Sequence, residues 1–244
     1  MIVTVLQHGP WGGPGVVGAQ LEARGVELDV RELYAGDEVP DDPPEALIVL
    51  GGQMCTDEKD QYPFLEQEVA LLGKCVASDT PTLGICLGAQ LLAEATGGSV
   101  RHDVPEIGFA PVRLTSAGRD DPLLAAFADD TPTFNAHRDF ITAGPDAVIL
   151  ARSERCPVHA FRMGGRVYGL QFHPEMDAPQ IERYASASQP GAYLRRHGWK
   201  PSDLVALARQ HHAEHSAMGR MLADYWLDHV VQPLSAAGPA VSDG

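Results

Sequence analysis

Pro81-Thr82-Leu83-Gly84-Ile85-Cys86-Leu87-Gly88-Ala89-Gln90 decides how the rest of the chain is read. Thr80 to Ile85 is a short apolar run that reads as a buried strand, and Leu87 to Ala95 reads as a helix. Cys86 falls on the turn between them, with glycine two residues before it and two after. A side chain on so sharp a turn is held in a strained backbone conformation, and bulky neighbours would block both the turn and an approaching substrate. The helix also aims its positive end at the sulfur, which favours the thiolate. The same string has a plainer reading, a buried cysteine in tight strand–helix packing.

Upstream, Ile2-Val3-Thr4-Val5-Leu6 is a β-branched strand closed by His8-Gly9-Pro10, and Val16 to Arg24 has a helical pattern. Val26 to Leu33 reads as a second strand, 37–44 as an acidic, proline-rich loop, and Ala46 to Leu50 as a third strand running into Gly51-Gly52. From Pro63, Leu65, Val69, Leu72 and Val76 share one helical face, and proline suits a first turn, where its missing N–H costs nothing. Strands alternating with helices predict an α/β fold with a central, mostly parallel sheet covered on both faces. Downstream the pattern changes to short strands, at Ile107–Leu114, Thr131–Asn135, Val148–Ala151, Val158–Phe161 and Val167–Phe172. Beyond Glu175 it turns helical, with Met218, Met221, Leu222, Tyr225 and His229 at helical spacing. The expected organisation is one domain over 1–185, a helical C-terminal extension over 186–234 packed on it, and a flexible tail over 235–244.

The chain has 244 residues, 44% of them hydrophobic, and carries 33 acidic against 18 basic side chains for a formal charge of −15. That balance repels a nucleic-acid backbone, and no segregated basic patch offsets it. Apolar runs such as 46–50 are far too short to cross a bilayer, and the N-terminus lacks the features of a signal peptide. The expected location is the cytoplasm, with neither nucleic acid nor membrane as a partner. Cys55, Cys75, Cys86 and Cys156 lie far apart without CxxC spacing, which argues against a disulfide framework or zinc knuckle.

A partner for Cys86 is found at Tyr168-Gly169-Leu170-Gln171-Phe172-His173-Pro174-Glu175, where a histidine ends an apolar strand and a carboxylate two residues on can orient its imidazole. GICLGAQ (84–90), GLQFHPE (169–175) and the upstream LGGQM (50–54) resemble the class I glutamine amidotransferases, whose glutaminase domain uses Cys, His and Glu in this order. EIGFAPVRLT (106–115) and 153–175 are also similar to the stand-alone group related to the amidotransferase domain of GMP synthetase. The resemblance implies a flavodoxin-like amidotransferase fold and glutamine amide hydrolysis. It makes Cys86 the nucleophile that forms a γ-glutamyl thioester, His173 the proton carrier and Glu175 its orienting carboxylate. It gives the backbone N–H groups of Gly52 and Leu87 to the oxyanion, and Gln90 to the substrate glutamine. Where much of the family has His-Gly-Asp or His-Gly-Phe, this chain has His137-Arg138-Asp139-Phe140; His137, Arg138 and Asp139 fall to substrate binding, and Arg138 either pairs with a substrate carboxylate or covers the pocket mouth.

No Gly-rich nucleotide loop or synthetase region accompanies the motifs, so ammonia use would need a separate acceptor or synthetase subunit, and no cofactor or metal is expected. His211-His212-Ala213-Glu214-His215 matches H-x-x-E-H, yet lacks a third ligand and reads as a solvated helix face. Cys55 could line the pocket, although packing is the simpler role for it as for Cys75 and Cys156; His8 and Trp11 could approach the site. Two rivals stand beside the amidotransferase reading: a γ-glutamyl peptidase or hydrolase with the same triad, and a non-catalytic regulatory partner.

Overall fold

The computed structural model describes residues 1–102, 104–128 and 130–232. Its framework is β1 (Ile2–Gln7), α1 (Gly15–Ala23), β2 (Glu27–Glu32), β3 (Leu47–Val49), α2 (Phe64–Ala77), β4 (Thr82–Ile85) and α3 (Leu87–Ala95). Strands β5 (Ser99–Arg101), β6 (Glu106–Leu114), β7 (Thr131–His137), β8 (Phe140–Thr142), β9 (Val148–Arg152), β10 (Ala160–Met163) and β11 (Val167–Leu170) follow, with the short helix α4 (Ser116–Arg119) after β6. The chain then runs through α5 (Ala178–Ser186), α6 (Ser188–Arg196) and the 25-residue α7 (Pro201–Tyr225), which ends in a π-helical turn at Trp226–Val231. The tail at 235–244, with 233 and 234, lies outside the described residues.

Nine strands form one sheet in the order β2-β1-β3-β4-β11-β10-β9-β6-β7, and β5 pairs with β8 in a separate ribbon. The first five are parallel; β10, β9, β6 and β7 each run antiparallel to the neighbour before them. Strands β3 and β4 are buried along their whole length because helices cover both faces, which is why they read as unbroken apolar runs rather than alternating ones. One face packs Val3, Val5, Ile48 and Ile85 against Leu21 of α1 and Leu222 of α7. The other packs Leu6, Leu47 and Val49 against Leu65 and Leu72 of α2 and Leu91 of α3. A third cluster joins α5, α6 and α7 to Phe134 of β7. Among the described residues no helix is long and apolar enough to cross a membrane.

Because β1, β3, β4 and β11 are adjacent and parallel, the segments leaving their carboxyl ends emerge at one edge of the sheet. Those segments carry His8, Gly51-Gly52, Cys86 and His173, and ligands of open α/β sheets bind at this edge. The β2–β3 crossover holds only a 3-10 turn, Leu33–Ala35, and the acidic loop rather than a helix.

Candidate active site

Cys86 is the N-cap of α3 and has φ +51° and ψ −103°, a conformation that L-residues rarely adopt. Tight packing imposes it. The Cys86 N–H donates to Leu170 O at 2.8 Å, tying the elbow to β11, and its carbonyl accepts from Gln90 N at 3.0 Å. A Cβ on Gly88 would lie 2.2 Å from Val49 O, and one on Gly84 would lie 2.8 Å from the Gly88 backbone, so both flanking positions need glycine.

His173 and Glu175 lie on the segment after β11. His173 Nδ1 bonds Glu175 Oε1 at 2.8 Å, and Cys86 is the ring's second electrostatic neighbour. Burial pulls the imidazole pKa down, but Glu175 and Cys86 outweigh it and push it up to about 10. Neighbouring elements grip the same segment. Val16 N–H donates to Glu175 O at 2.9 Å, and Gly219 of α7 lets that helix approach where a Cβ would sit 2.2 Å from Pro174 O. Asp177 caps α5 by accepting from Gln180 N at 2.8 Å.

His215 corrects the expectation of a solvated helix face for the H-x-x-E-H string. It is 2% exposed, bonds His173 O through Nε2 at 3.0 Å, and burial drives its pKa down to about 4, which leaves a neutral ring that donates to that carbonyl. His211 stacks on Phe109 at 4.6 Å. The string is split between packing and support of the His173 backbone because i and i+4 share the face that α7 turns toward the sheet.

A cavity of about 410 Å³ opens beside Cys86, lined by Gly51, Gly52, Gln90, 136–139, His173 and Glu175 from the sheet edge, and by Trp11 and Tyr62. Tyr184, Gln189, Tyr193 and Arg196 of α5 and α6 complete it. Burial and the nearby Cys86 raise the Tyr184 phenol pKa. Gln90 is buried and directs Nε2 to Asp139 O at 3.2 Å, with Gln171 Oε1 at 3.4 Å, so it braces the cavity wall from within. His137 donates through Nδ1 to the same Asp139 carbonyl at 2.9 Å. The Asp139 carboxylate meets His102 Nδ1 at 3.1 Å, Cys55 Sγ at 3.2 Å and Arg138 Nε at 3.6 Å. Cys55 sits behind that wall rather than on it. Burial raises the Cys75 thiol to about 11 and the Cys156 thiol to about 12, in keeping with packing.

The N–H of Leu87 is the first of α3, one of the donors a helix leaves without an internal acceptor. Gly52 packs beside it: a Cβ at Gly52 would meet Leu87 Cδ2 at 2.6 Å and His8 Cβ at 2.9 Å. His8 lies behind this loop rather than in the cavity, 1% exposed, with Nε2 2.9 Å from Glu68 Oε1. Burial lowers the His8 pKa and Glu68 raises it further, for a net upward shift. Glu68 escaped the sequence reading because a carboxylate on α2 looks like a solvent-facing residue; its buried partner comes from a strand end sixty residues away. Gly52→Ala is expected to push this loop off Leu87, since the added Cβ would meet Leu87 Cδ2 at 2.6 Å, a displacement that a structure of the variant would show.

The match to known proteins agrees with this architecture. Residues 16–183 match the family model described as glutamine amidotransferase class-I. The chain is 34% identical over 174 residues to the glutamine amidotransferase-like protein YfeJ of Salmonella typhimurium, covering 69% of this chain and 73% of that one. It is 38% identical over 137 residues to one subunit of the glutamine-hydrolyzing GMP synthase of Halobacterium salinarum, covering 54% and 67%. A glutamine amidotransferase structure from Thermotoga maritima superimposes with a TM-score of 0.83 at 26% identity, over 96% of this chain and 99% of that one. Fold and site thus define an α/β enzyme scaffold with a cysteine elbow. The chain belongs to the class I glutamine amidotransferase family.

Proposed function

We propose that this protein hydrolyses the side-chain amide of glutamine through a γ-glutamyl thioester on Cys86. The observation that carries this reading is the Cys86–His173–Glu175 array, in which one imidazole is bonded to the carboxylate at 2.8 Å and has Cys86 as its other electrostatic neighbour. Cys86 Sγ attacks the amide carbon, and the carbonyl electrons move to oxygen, where the Gly52 and Leu87 N–H groups meet the charge. Collapse of that adduct breaks the C–N bond, and His173 supplies the proton with which ammonia departs. Water then gives a proton to His173 and its oxygen to the acyl carbon; glutamate leaves and the thiol–imidazole pair is restored. Glu175 holds the imidazole tautomer and stabilises its charged form.

Ammonia would pass to a separate acceptor. The Halobacterium relative is named as one subunit of a GMP synthase, which supports a synthetase partner as the recipient here. A γ-glutamyl peptidase reading has one observation in its favour: Arg138 and Arg196 both border the cavity, where a guanidinium can hold the extra carboxylate of a peptide substrate. Comparing kcat/KM for ammonia release from glutamine with that for cleavage of γ-glutamyl dipeptides tests the choice. Faster glutamine turnover is expected; faster dipeptide cleavage would overturn the amidotransferase reading in favour of the peptidase. No γ-glutamyl thioester with either substrate would overturn both.

A further inference from the structure

Behind the cavity wall, β6 and β7 pair with Glu106 opposite His137, and His159 enters the same space just ahead of β10. All three are buried, at 6%, 3% and 0% exposure, and one atom from each side chain can be chosen so that all lie within 4.8 Å of one another. Glu106 Oε2 is 3.4 Å from His137 Nε2. Two ligands about 2.0–2.1 Å from a tetrahedral zinc-like ion stand about 3.4 Å apart.

The hydrogen bonds around the three residues fix which atoms are left over. His137 Nδ1 faces the Asp139 carbonyl oxygen, which can only accept, so Nδ1 carries the hydrogen and a neutral ring holds its lone pair at Nε2. Asn135 donates through Nδ2 to Thr133 O at 3.0 Å, which turns its Oδ1 toward His159 Nε2 at 2.8 Å. That nitrogen must then be the donor, and the lone pair of His159 sits on Nδ1. Neither His137 Nε2 nor His159 Nδ1 has a hydrogen-bond partner among the described residues. Ser153 Oγ in turn holds the Glu106 carboxylate at 3.0 and 3.1 Å. Each imidazole is therefore oriented by an outer partner through one nitrogen while its other nitrogen is left without one, and Ser153 holds the carboxylate, the pattern found around protein metal ligands. A proton shared between His137 and Glu106 would leave the His159 lone pair unsatisfied; a cation satisfies both nitrogens and the carboxylate.

We propose that Glu106, His137 and His159 form a binding site for a divalent transition-metal ion of the zinc class. Two imidazoles and one carboxylate suit such an ion, and the cluster lies behind the cavity wall that His137 lines. The site is separate from Cys86 chemistry. Its effect is positional: the His137 ring that binds the ion also holds the Asp139 carbonyl, which Gln90 braces from the other side.

Chelator-treated Cys86→Ala protein, which lacks the active-site thiol, should take up one Zn²⁺ or Co²⁺ per chain. Co²⁺ should give visible d–d absorption, and Zn²⁺ should raise the unfolding temperature. Glu106→Gln and His159→Gln should each weaken binding by at least about 100-fold, and Ser153→Ala by about 10-fold, whereas His211→Ala/His212→Ala should bind as before. No retained metal in the folded parent protein, or undiminished binding in both Glu106→Gln and His159→Gln, would overturn the proposal. Should those variants misfold, zinc-edge X-ray absorption of the parent protein decides: two imidazole nitrogens in the first shell support the site, and their absence overturns it.

Discussion

Replacing Cys86 with alanine should lower glutamine turnover by about 10⁴ to 10⁶-fold, the scale on which removing a nucleophile disables a covalent hydrolase, while the protein stays folded. The argument for intact folding is local. Alanine keeps the Cβ that already sits at φ +51°, so the backbone strain is no worse, and the lost sulfur is a single atom of a side chain 5% exposed at the cavity. The bonds that hold the elbow, from Cys86 N to Leu170 O and from Gln90 N to Cys86 O, are made by the main chain and survive the change. Ground-state binding should also survive, because the cavity walls are untouched. The check is twofold: rapid-quench mass spectrometry should find a mass increase of one γ-glutamyl group on Cys86 of the parent protein and none on the variant, and isothermal titration should find glutamine still bound. Turnover within tenfold of the parent would remove Cys86 from the mechanism and favour a regulatory role for the fold.

The parts of this molecule that could be read from sequence are those where one physical cause dominates. Strands β3 and β4 are buried on both faces, so burial alone dictates an apolar run, and the elbow is legible because only glycine tolerates backbone at 2.2 and 2.8 Å from where a Cβ would be. His173 and Glu175 are neighbours in sequence, so their pairing is local. The elements that escaped depend on distant partners. Strands β5 and β8 are three residues each, too short for a period, and exist by pairing with each other. Helices α5 and α6 fall in the stretch that reads as helical, but nothing local in their sequence announces that Tyr184, Gln189, Tyr193 and Arg196 close the cavity. Glu68 and His215 look solvent-facing because their spacing says nothing of His8 or of the His173 carbonyl. The same holds for Glu106, His137 and His159, brought together by an antiparallel half of the sheet whose register no local motif announces.

Glu175→Gln should reduce kcat/KM by about 10³ to 10⁴-fold at neutral pH, comparable to breaking the carboxylate–histidine link in a serine protease triad, and it should also move the pH profile. Three influences act on the His173 imidazole: burial lowers its pKa most, while Glu175 and Cys86 raise it, with a net value of about 10. A raised value means that the imidazolium persists up to that pH and is lost above it. Glutamine at 175 keeps the shape and removes the charge, so burial is opposed by Cys86 alone and the imidazolium is lost at lower pH. The alkaline limb of kcat/KM should therefore shift downward, a change that altered packing alone would not produce. Because His173 and Cys86 exchange one proton, the limb reports the pair rather than either residue. Glu175→Asp separates charge from reach: it retains the carboxylate but shortens it, and should keep the alkaline limb closer to the parent position while still losing rate, since the 2.8 Å bond to Nδ1 is stretched. A Glu175→Gln protein with an unshifted profile would leave Glu175 as a packing residue and assign the raised His173 pKa to Cys86.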